Sequence, residues 1–450
     1  MPKDRIVIIG GDAAGMSAAS KIRRMRPDQA ILVFERTDFT SYSACGIPYF
    51  IGGLIDDVDQ LIARNPETFR DKYGIEVRTQ NEVVAIDPKS QRITVRSGKN
   101  CEFTEAYDQL LIATGARPFC PDVPGADSSG IFGLSTLASG IRVREFLVNH
   151  QPKQAVVVGG GYIGLEMAEA LIRQKLKVSL VQRSSQVMGT LDPDMGALVS
   201  KALKDVGVTL YLSERLEGFE TSCGRVTGVV TDLRTLPADL VILGMGVRPN
   251  SELAGKAGVS LGEKDAIKVD NRMRTETENI WAAGDCVATL NRITGKPTYV
   301  ALGTVANKQG VVAGMNLAGG DSQFPGVVGT AVSKICKVEV ARSGLQEKEL
   351  KALGYEYAVA TIDAKTRAGY FPGAGPITVK LLGEKNSGRL LGAQIVGMEG
   401  AAKRIDTIAT ALTARMTVKD LVDLDLSYAP PFSPVWDPVQ IAARKLIKTL

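Results

Sequence analysis

Two stretches of similar sequence decide the fold: residues 6–15 read IVIIGGDAAG and residues 155–164 read AVVVGGGYIG. In each stretch a β-branched apolar run ends in a glycine turn and continues into a helical pattern. A second apolar run follows each helix, at 30–35 and at 177–182. Strand, glycine turn, helix and strand form the unit that binds dinucleotides, because glycine lets the backbone approach the pyrophosphate and the helix N-terminus supplies free N–H groups. The repetition predicts two such units in one α/β chain.

The two glycine turns are not identical. The second has all three glycines of the dinucleotide fingerprint, Gly159, Gly161 and Gly164. The first keeps Gly10 and Gly15, but Asp12 replaces the middle glycine. Glu35 supports the first unit, because a carboxylate at the end of the second strand accepts hydrogen bonds from ribose hydroxyls.

The second strand of the second unit ends in Gln182-Arg183-Ser184, without an acid. No negative charge therefore repels a 2′-phosphate, and Arg183 can form charge-assisted hydrogen bonds to one. We expect NADPH to be used at least as well as NADH. If Arg183 points into solvent, both nucleotides are used.

Three further strands end in small residues. Residues 108–115 and 239–246 each predict one more strand for the first and the second unit, and Ile280-Trp-Ala-Ala-Gly-Asp285 predicts a strand that ends at a carboxylate.

Composition excludes several classes. The chain has 450 residues and a formal net charge of +5, which is not the basic stripe of a nucleic-acid-binding protein. Its longest run without charge, 39–55, is too short and too rich in glycine to cross a membrane, and the N-terminus lacks a signal-peptide layout, so a cytoplasmic protein is expected. The six cysteines show no CxxC spacing, which predicts free thiols and no metal site.

Together with Ala113-Thr114-Gly115 and Ala283-Gly284-Asp285, the two units resemble the two-dinucleotide-fold flavoprotein disulfide reductases over essentially the whole chain. The resemblance implies FAD on the first unit and NADPH or NADH on the second. It implies an FAD-binding domain of residues 1–118 plus 248–325 and an NAD(P)-binding domain of residues 119–247. Residues 326–450 would be a C-terminal α+β dimerisation domain that makes a homodimer.

The same resemblance assigns residues to each nucleotide. Asp285 would hold the flavin ribityl chain, and Tyr162 would shield the flavin until nicotinamide enters. The residues implied for FAD are Gly10, Gly11, Asp12, Ala13, Ala14, Gly15, Glu35, Arg36, Ser43, Val83, Ala113, Thr114, Gly115, Gly284, Asp285, Ala301 and Thr304. Those implied for NAD(P) are Gly159, Gly161, Tyr162, Ile163, Gly164, Glu166, Gln182, Arg183, Ser184 and Gly246.

Within that superfamily, cysteines set the chemistry. Glutathione-reductase-like members need a CxxxxC pair and a histidine near the C-terminus, whereas here Cys45 stands alone after Ser41 and the one histidine is His150. This pattern resembles the single-cysteine branch, which includes coenzyme A disulfide reductases, NADH oxidases and peroxidases, and persulfide reductases. Cys45 precedes an apparent helix start, which favours a thiolate of lowered pKa.

Several residues favour coenzyme A disulfide reductase within this branch. Ala13 stands where oxidases and peroxidases carry a histidine, and a rhodanese domain would need residues beyond 450. Tyr428 and Tyr370 match the tyrosine pair that the dimerisation domain of the reductases contributes to catalysis. The residues implied for coenzyme A are Lys21, Arg24, Ser41 and Ser43.

The function expected is NAD(P)H-dependent reduction of coenzyme A disulfide, or of a related disulfide or persulfide, through Cys45, with coenzyme A held on this cysteine between turnovers. The partners expected are small molecules and a second copy of the chain, not nucleic acid or membrane. Two alternatives stay open: an NAD(P)H oxidase or polysulfide or elemental-sulfur reductase of the same family, and a flavin-containing electron carrier or binding subunit without a small substrate of its own.

Overall fold

A computed structural model describes residues 4–98 and 101–450. Its first sheet is built from parallel strands that end at the first glycine turn: β1 (Arg5–Ile9), β2 (Ala30–Phe34), β3 (Glu76–Arg78), β7 (Gln109–Ile112) and β18 (Ile280–Ala282). Their spatial order is β18-β7-β1-β2-β3. The strands predicted within 108–115 and 280–285 are confirmed: they lie at 109–112 and 280–282 and join the sheet of β1.

The second sheet repeats this arrangement with strands from one continuous stretch: β9 (Ile131–Gly133), β10 (Gln154–Val158), β11 (Lys177–Gln182), β12 (Thr209–Leu212) and β16 (Leu240–Leu243). Their order is β12-β11-β10-β16-β9, again all parallel. The central strands of both sheets are buried on both faces, which is why their sequences read as continuous apolar runs.

Each parallel sheet carries a small antiparallel sheet, which is inserted before β7 in the first unit and before β16 in the second. In the first unit these strands are β4 (Asn81–Asp87), β5 (Arg92–Ser97) and β6 (Cys101–Ala106). In the second they are β13 (Leu216–Ser222), β14 (Arg225–Thr231) and β15 (Thr235–Pro237). Two short ribbons complete the region, β8 (Ala116–Pro118) with β17 (Val247–Pro249), and β19 (Thr289–Leu290) with β20 (Pro297–Thr298).

The C-terminal unit is an antiparallel sheet with helices on it. Its strands are β21 (Ala331–Ile335), β22 (Val338–Gly344), β23 (Tyr357–Lys365), β24 (Pro376–Glu384) and β25 (Leu390–Gly397). Every residue of β25 is buried, because it is the central strand and helices cover it. This α+β arrangement was predicted and is confirmed.

The helices of the described residues alternate with the parallel strands and then cover the C-terminal sheet. They are α1 (Ala13–Met25), α2 (Ile47–Ile51), α3 (Pro66–Tyr73), α4 (Leu137–His150), α5 (Tyr162–Arg173), α6 (Pro193–Asp205), α7 (Glu252–Lys256), α8 (Gly303–Leu317), α9 (Glu347–Ala352), α10 (Ile405–Thr413), α11 (Val418–Val422) and α12 (Pro438–Leu446). Helices α1 and α8 pack closely, because Gly310 and Gly314 face the backbone of Ala14 and Ala18. Within the described ranges, no helix is long and apolar enough to cross a membrane.

A buried ionic cluster joins the second unit to the C-terminal unit. The Lys380 ammonium on β24 lies 3.2 Å from Asp192, 2.8 Å from Asp194 and 2.7 Å from Glu347. The Lys380 and Asp192 side chains are 3% and 2% exposed. Gln394 donates to Asp192 (2.7 Å) and accepts from its amide (2.7 Å), so the polar atoms of the buried carboxylate are satisfied.

The predicted domain boundaries at 118, 247 and 325 remain predictions. The membership of the three large sheets agrees with them, since β18 returns to the first sheet after the whole second sheet has formed.

Candidate active site between the two nucleotide units

The two glycine turns have the same backbone geometry. Gly10 and Gly159 have φ of +109° and +106°, where a side chain would strain the backbone. A Cβ on Gly15 or Gly164 would overlap the carbonyl oxygen of Gly10 or Gly159, respectively. The helix N-terminus therefore comes as close to the strand end as glycine alone permits, which is the shape a pyrophosphate requires.

The residue that ends the second strand has the same backbone contact in both units. A Glu35 oxygen accepts from the amide of Gly11 at 2.8 Å. The amide oxygen of Gln182 accepts from the amide of Gly160, also at 2.8 Å. The second polar atom of each side chain has a different role. Glu35 accepts from the Thr37 hydroxyl (2.8 Å), whereas Gln182 donates to the Ser184 hydroxyl (2.5 Å).

Three carboxylates meet at the first turn, Asp12, Glu35 and Asp285. Burial, with Glu35 and Asp285 nearby, raises the pKa of Asp12 to about 7, despite a hydrogen bond from the amide of Tyr42. Burial raises the pKa of Asp285 to about 6. The Asp285 Oδ1 atom is buried and has no hydrogen-bond partner among the described residues, a condition that a bound hydroxyl would relieve.

Cys45 lies on a segment that is fastened to the first turn. The amide of Ser41 donates to the carbonyl of Gly11 (3.0 Å), and the amide of Tyr42 donates to Asp12 Oδ1 (3.1 Å). Asp12, read from the sequence as a loss from the fingerprint, therefore holds the cysteine segment. Sequence alone gave no signal for this contact, which joins residues 30 positions apart.

The predicted helix start after Cys45 is confirmed: a 3-10 turn at Ala44–Gly46 leads into α2. The expected lowering of the pKa of Cys45 is wrong. Burial first, and then the nearby Glu166, Asp285 and Asp12, raise the pKa of Cys45. The thiol is nevertheless exposed. The same carboxylates show that Cys45 lies between the two units, because Glu166 belongs to α5 and the other two to the first turn.

The remaining residues predicted for FAD occupy varied settings. The Thr114 hydroxyl donates to the carbonyl of Asn250 (2.6 Å), and so ties the first sheet to the chain returning from the second. Val83 is a buried residue of β4. Gly284 donates its amide to Gln309 (2.9 Å), while Arg36, Ser43 and Thr304 are exposed. Ala13 and Ala14 begin α1, Ala113 and Gly115 follow β7, and Ala301 precedes α8.

On the nucleotide side, Tyr162 begins α5 and its hydroxyl accepts from Thr190 (3.4 Å). Glu166, one turn further on, accepts from Ser333 of the C-terminal unit (2.7 Å), and burial raises its pKa. Arg183 and Ser184 are exposed at the end of β11. Gly161 caps α5, Ile163 lies in its first turn, and Gly246 has φ of +96° beyond β16.

The residues predicted for coenzyme A and for proton transfer lie in three places. Ser41 and Ser43 share the segment of Cys45. Lys21 and Arg24 lie further along α1, about 12 and 17 Å from its start at 1.5 Å per residue. Tyr370 and Tyr428 are 77% and 46% exposed on loops of the C-terminal unit, where a hydrogen bond with Tyr370 raises the pKa of Tyr428.

A separate cleft of about 540 Å³ lies at the opposite, N-terminal end of the first sheet. Two of its three arginines form ion pairs, Arg5 with Glu105 and Arg78 with Glu76 and Glu105, and Arg23 donates to the carbonyls of Pro27 and Gly74. The cleft therefore belongs to the packing of that edge and not to the site around Cys45.

Residues 4–310 match the pyridine nucleotide-disulphide oxidoreductase family, and residues 330–438 match its dimerisation domain. The chain belongs to this family. The resemblance drawn from the sequence is thereby confirmed, and the chain is an NAD(P)H-dependent flavoprotein oxidoreductase that uses FAD and carries the family's dimerisation domain.

Two relatives and one solved structure are similar to this chain over nearly its whole length. An NAD(P)H sulfur oxidoreductase (CoA-dependent) of Pyrococcus abyssi is 42% identical over 99% of this chain and 98% of its own. A coenzyme A disulfide reductase of Staphylococcus haemolyticus is 32% identical over 98% of this chain and 99% of its own. The structure of an NAD-dependent persulfide reductase from A. fulgidus superimposes with a TM-score of 0.96, at 41% identity, over 99% of this chain and 83% of its own.

The residues at the first turn fit FAD. The glycine turn leaves room for a pyrophosphate, Glu35 stands where a ribose binds, and Asp285 presents a buried oxygen without a partner among the described residues. The second turn has the glycine shape without an acid at the strand end, and this fits a nicotinamide nucleotide.

Proposed function

We propose that this flavoprotein reduces coenzyme A disulfide, or a closely related coenzyme A persulfide, through Cys45 as its single redox-active cysteine. The observation that carries the proposal is the position of Cys45: an exposed thiol on a segment bound to the first glycine turn, with Glu166 of the second unit beside it. The names of the relatives, which are coenzyme A-dependent or act on coenzyme A disulfide, support the choice of substrate class.

The neighbouring cysteine cannot serve as a resolving thiol. Cys286 follows Asp285, but it is fully buried, and its thiol points to the carbonyls of Ala283 (3.3 Å) and Ile112 (3.6 Å). Burial raises its pKa to about 11, so it is an inert packing residue. Cys336 is half-buried, and burial raises its pKa to about 11. We infer that the disulfide partner of Cys45 is a small-molecule thiol.

The exchange balances with one cysteine. The Cys45 thiolate attacks one sulfur of coenzyme A disulfide, the S–S bond breaks, and one coenzyme A leaves as a thiolate that takes a proton. Cys45 remains as a mixed disulfide with the second coenzyme A. Two electrons break this bond and release the second coenzyme A and the Cys45 thiolate, so that one NAD(P)H and one proton convert one disulfide into two thiols. Bound FAD supplies the passage of these two electrons from NAD(P)H to sulfur.

This cycle also accommodates the raised pKa of Cys45. A thiol surrounded by carboxylates deprotonates poorly at neutral pH. Reduction of the mixed disulfide yields the thiolate directly, without a base to remove a proton. A Cys45 that is capped by coenzyme A between turnovers therefore suits this setting better than a free thiol does.

We assign the other predicted site residues by position. Glu35, Asp285 and the first glycine turn hold FAD, while Tyr162, Gln182, Arg183 and the second turn hold the nicotinamide nucleotide, with NADPH accepted at least as well as NADH. Lys21 and Arg24 would meet the phosphates of coenzyme A. The exposed thiols Cys101, Cys120 and Cys223 suit the reducing conditions of the cytoplasm.

Tyr370 and Tyr428 would act on the partner subunit of a homodimer. They lie in the region that matches the dimerisation domain, and the groups that shift the pKa of Cys45 do not include them. Their hydroxyls, of which that of Tyr428 has a pKa raised by the neighbouring Tyr370, would donate the proton that the departing coenzyme A thiolate takes.

Replacing Cys45 by serine tests the proposal. In Cys45→Ser, NAD(P)H should still bleach the flavin at 450 nm in an anaerobic rapid-mixing experiment, because that step needs the two nucleotide sites alone. Turnover with coenzyme A disulfide should fall to background, since serine is a poor nucleophile near neutral pH. Cys120→Ser, an equally exposed cysteine, is the matched control and should keep full activity. Wild-type turnover by Cys45→Ser would refute the mechanism.

Subunit mixing tests the action across the dimer. Cys45→Ser homodimers are expected to be inactive, and Tyr428→Phe/Tyr370→Phe homodimers to keep about a hundredth of wild-type turnover, the loss expected for a general acid. Dissociated and reassociated together, they should regain about a quarter of wild-type activity, because half of the dimers are mixed and each has one intact site. No recovery, with mixed dimers shown by native mass spectrometry, would place the tyrosines in the same subunit as their cysteine.

The relative from Pyrococcus abyssi favours a second candidate, reduction of sulfur or polysulfide with coenzyme A as a carrier. Anaerobic assays with coenzyme A disulfide and with polysulfide, each with and without added coenzyme A, separate the two. An NADH oxidase is the weaker alternative, because Ala13 occupies the glycine turn and His150 stacks on Phe146 in α4 with centroids 4.3 Å apart.

A further inference from the structure

The two tyrosines occupy loops that come from distant parts of the chain. Tyr370 lies between β23 and β24, and Tyr428 lies between α11 and α12. Both rings are exposed, so packing around the rings does not fix them in this subunit. Apart from the contact between the two side chains, the spacing of the rings depends on the backbone beneath them.

One arginine binds the backbone of both loops. The Arg404 Nη2 atom donates to the carbonyl of Thr366 at 2.8 Å and to the carbonyl of Phe432 at 3.1 Å. Thr366 begins the Tyr370 loop, and Phe432 follows Tyr428 by four residues. Because one nitrogen bonds both carbonyls, the separation of the two loops is set by the guanidinium itself.

The arginine is itself held rigidly. Its Nε donates to Asp437 (2.9 Å) and its Nη1 to the carbonyl of Gly400 (2.8 Å). Asp437 also accepts from Ser433 (3.0 Å) and caps α12 by accepting from Val439 (2.9 Å). The Arg404 and Asp437 side chains are 11% and 12% exposed. A guanidinium offers five N–H donors in a fixed plane, which the compact ammonium of lysine cannot reproduce.

A direct contact between the loops completes the arrangement. The amide of Ala368 donates to the carbonyl of Pro430 at 3.2 Å, two residues from each tyrosine. The first loop is closed at its base, where the amide of Thr366 donates to the carbonyl of Gly375 (2.9 Å) and the Thr366 hydroxyl accepts from the amide of Gly375 (3.2 Å). Arg404 stands where the bases of both loops meet.

We propose that Arg404 is the positioning residue of the tyrosine pair: by bonding the carbonyls of Thr366 and Phe432 it sets Tyr370 and Tyr428 at the spacing that proton donation to the leaving thiolate requires. This inference rests on the proposed function, because it assumes that the tyrosines serve the disulfide half-reaction. Arg404 itself does not touch substrate.

The test is Arg404→Lys, which keeps the positive charge beside Asp437 but removes the planar set of N–H donors that binds both carbonyls. We expect turnover with coenzyme A disulfide to fall about tenfold, the effect of a misplaced catalytic group. Anaerobic bleaching of the flavin by NADPH should stay within twofold of wild type. Arg367→Lys is the matched control: Arg367 lies in the same loop but pairs with Glu399, which is 86% exposed, so its replacement should change neither rate.

A double-mutant cycle separates positioning from a general structural loss. In a Tyr370→Phe/Tyr428→Phe background, Arg404→Lys should cost nothing further, because the groups that it positions are gone. A further tenfold loss in that background would overturn the proposal, and so would full activity of Arg404→Lys in the wild-type background. If Arg404→Lys does not fold, Asp437→Asn, which weakens the hold on the guanidinium but keeps its shape, gives the same cycle.

The outcomes also distinguish this inference from the proposed function. If Tyr370→Phe/Tyr428→Phe retains full turnover, the assigned role of the tyrosines fails first. If that variant loses turnover and Arg404→Lys does not, the role of the tyrosines stands and Arg404 is merely structural.

Discussion

The two nucleotide units share a scaffold and differ in a few polar atoms. Both have the same strand order, the same left-handed glycine at the strand end, and a strand-end side chain that accepts from the second glycine of the turn at 2.8 Å. In the first unit that side chain is Glu35, with Asp12 and Asp285 beside it. In the second it is Gln182, followed by the exposed Arg183.

This difference shows which part of such a unit selects the ligand. The shared glycine geometry admits a pyrophosphate in either unit, because it depends on backbone alone. The strand-end atoms decide what the ribose carries: a carboxylate accepts from hydroxyls and repels a phosphate, whereas an amide beside an arginine does not. Substitutions at equivalent positions of the two units can therefore be compared in pairs.

The largest effect is expected from adding one methyl group to each turn. Gly15→Ala and Gly164→Ala both place a Cβ on the preceding glycine carbonyl. Gly15→Ala should yield protein without bound FAD, as measured by absorbance at 450 nm. Gly164→Ala should keep its FAD but lose more than about a hundredfold in the rate of flavin reduction by NADPH, because a misplaced nucleotide loses its productive orientation.

Gly262→Ala is the control for this pair, since a Cβ there meets Ala266 at an ordinary 3.8 Å. Normal FAD content in Gly15→Ala, or normal flavin reduction in Gly164→Ala, would show that the turns do not bind the nucleotides as assigned.

One substitution gives the second unit the acidic strand-end residue of the first. Gln182→Glu keeps an acceptor for the amide of Gly160 but adds a charge facing the 2′-phosphate. We expect the KM for NADPH to rise about tenfold, roughly 1.4 kcal/mol of binding, while the KM for NADH changes less than twofold. Arg183→Ala should raise the KM for NADPH similarly. Equal losses with both nucleotides would mean that Arg183 and Gln182 do not face the phosphate.

The acid cluster of the first turn predicts that the protein loses stability as pH rises. Asp12 and Asp285 have raised pKa values of about 7 and about 6 in the folded, FAD-free protein, against an ordinary value of 3.8. The folded state therefore binds protons more tightly than the unfolded state. Their contribution to stability is present below the ordinary pKa and is lost as pH rises through 6 and 7.

Asp285→Asn should raise the Tm of the FAD-free protein by several degrees at pH 8 and by much less at pH 5, as followed by scanning calorimetry. Asp122→Asn, which removes an exposed carboxylate, is the comparison variant. A uniform Tm change at both pH values would show that Asp285 is not held in an unfavourable charged state.

The smallest effects concern the hydroxyls next to each strand end. Thr37 donates to Glu35, and Ser184 accepts from Gln182. Thr37→Val should weaken FAD binding two- to fivefold, by about 0.5–1 kcal/mol, and leave the KM for NADPH unchanged. Ser184→Ala should raise the KM for NADPH by a similar factor and leave FAD binding unchanged. If either variant affects both ligands equally, the two sites are coupled through the protein.

Sequence was enough for the scaffold because the scaffold is local and repeated. The glycine turns, the strands that flank them and the helix start after Cys45 all follow from patterns within about ten residues, whereas the family resemblance alone implied that 280–282 returns to the first unit. The parts that escaped prediction depend on contacts between distant segments. Asp12 meets Tyr42, Arg404 joins residues 366 and 432, and the pKa of Cys45 depends on carboxylates from three separate stretches.

The late position of β18 sets the order in which the chain can fold during synthesis. The second sheet is complete when residue 243 has emerged, whereas the first lacks its edge strand until residue 282. At about 5–20 residues per second, the strand ending at Ile112 waits roughly 10–30 s for its neighbour. Gly284 and Asp285 arrive with that neighbour, so the nascent chain gains a full FAD site only after the nucleotide unit behind it has formed. Until then the first sheet stays open along the edge of β7, and this edge is where aggregation of newly made chains should begin.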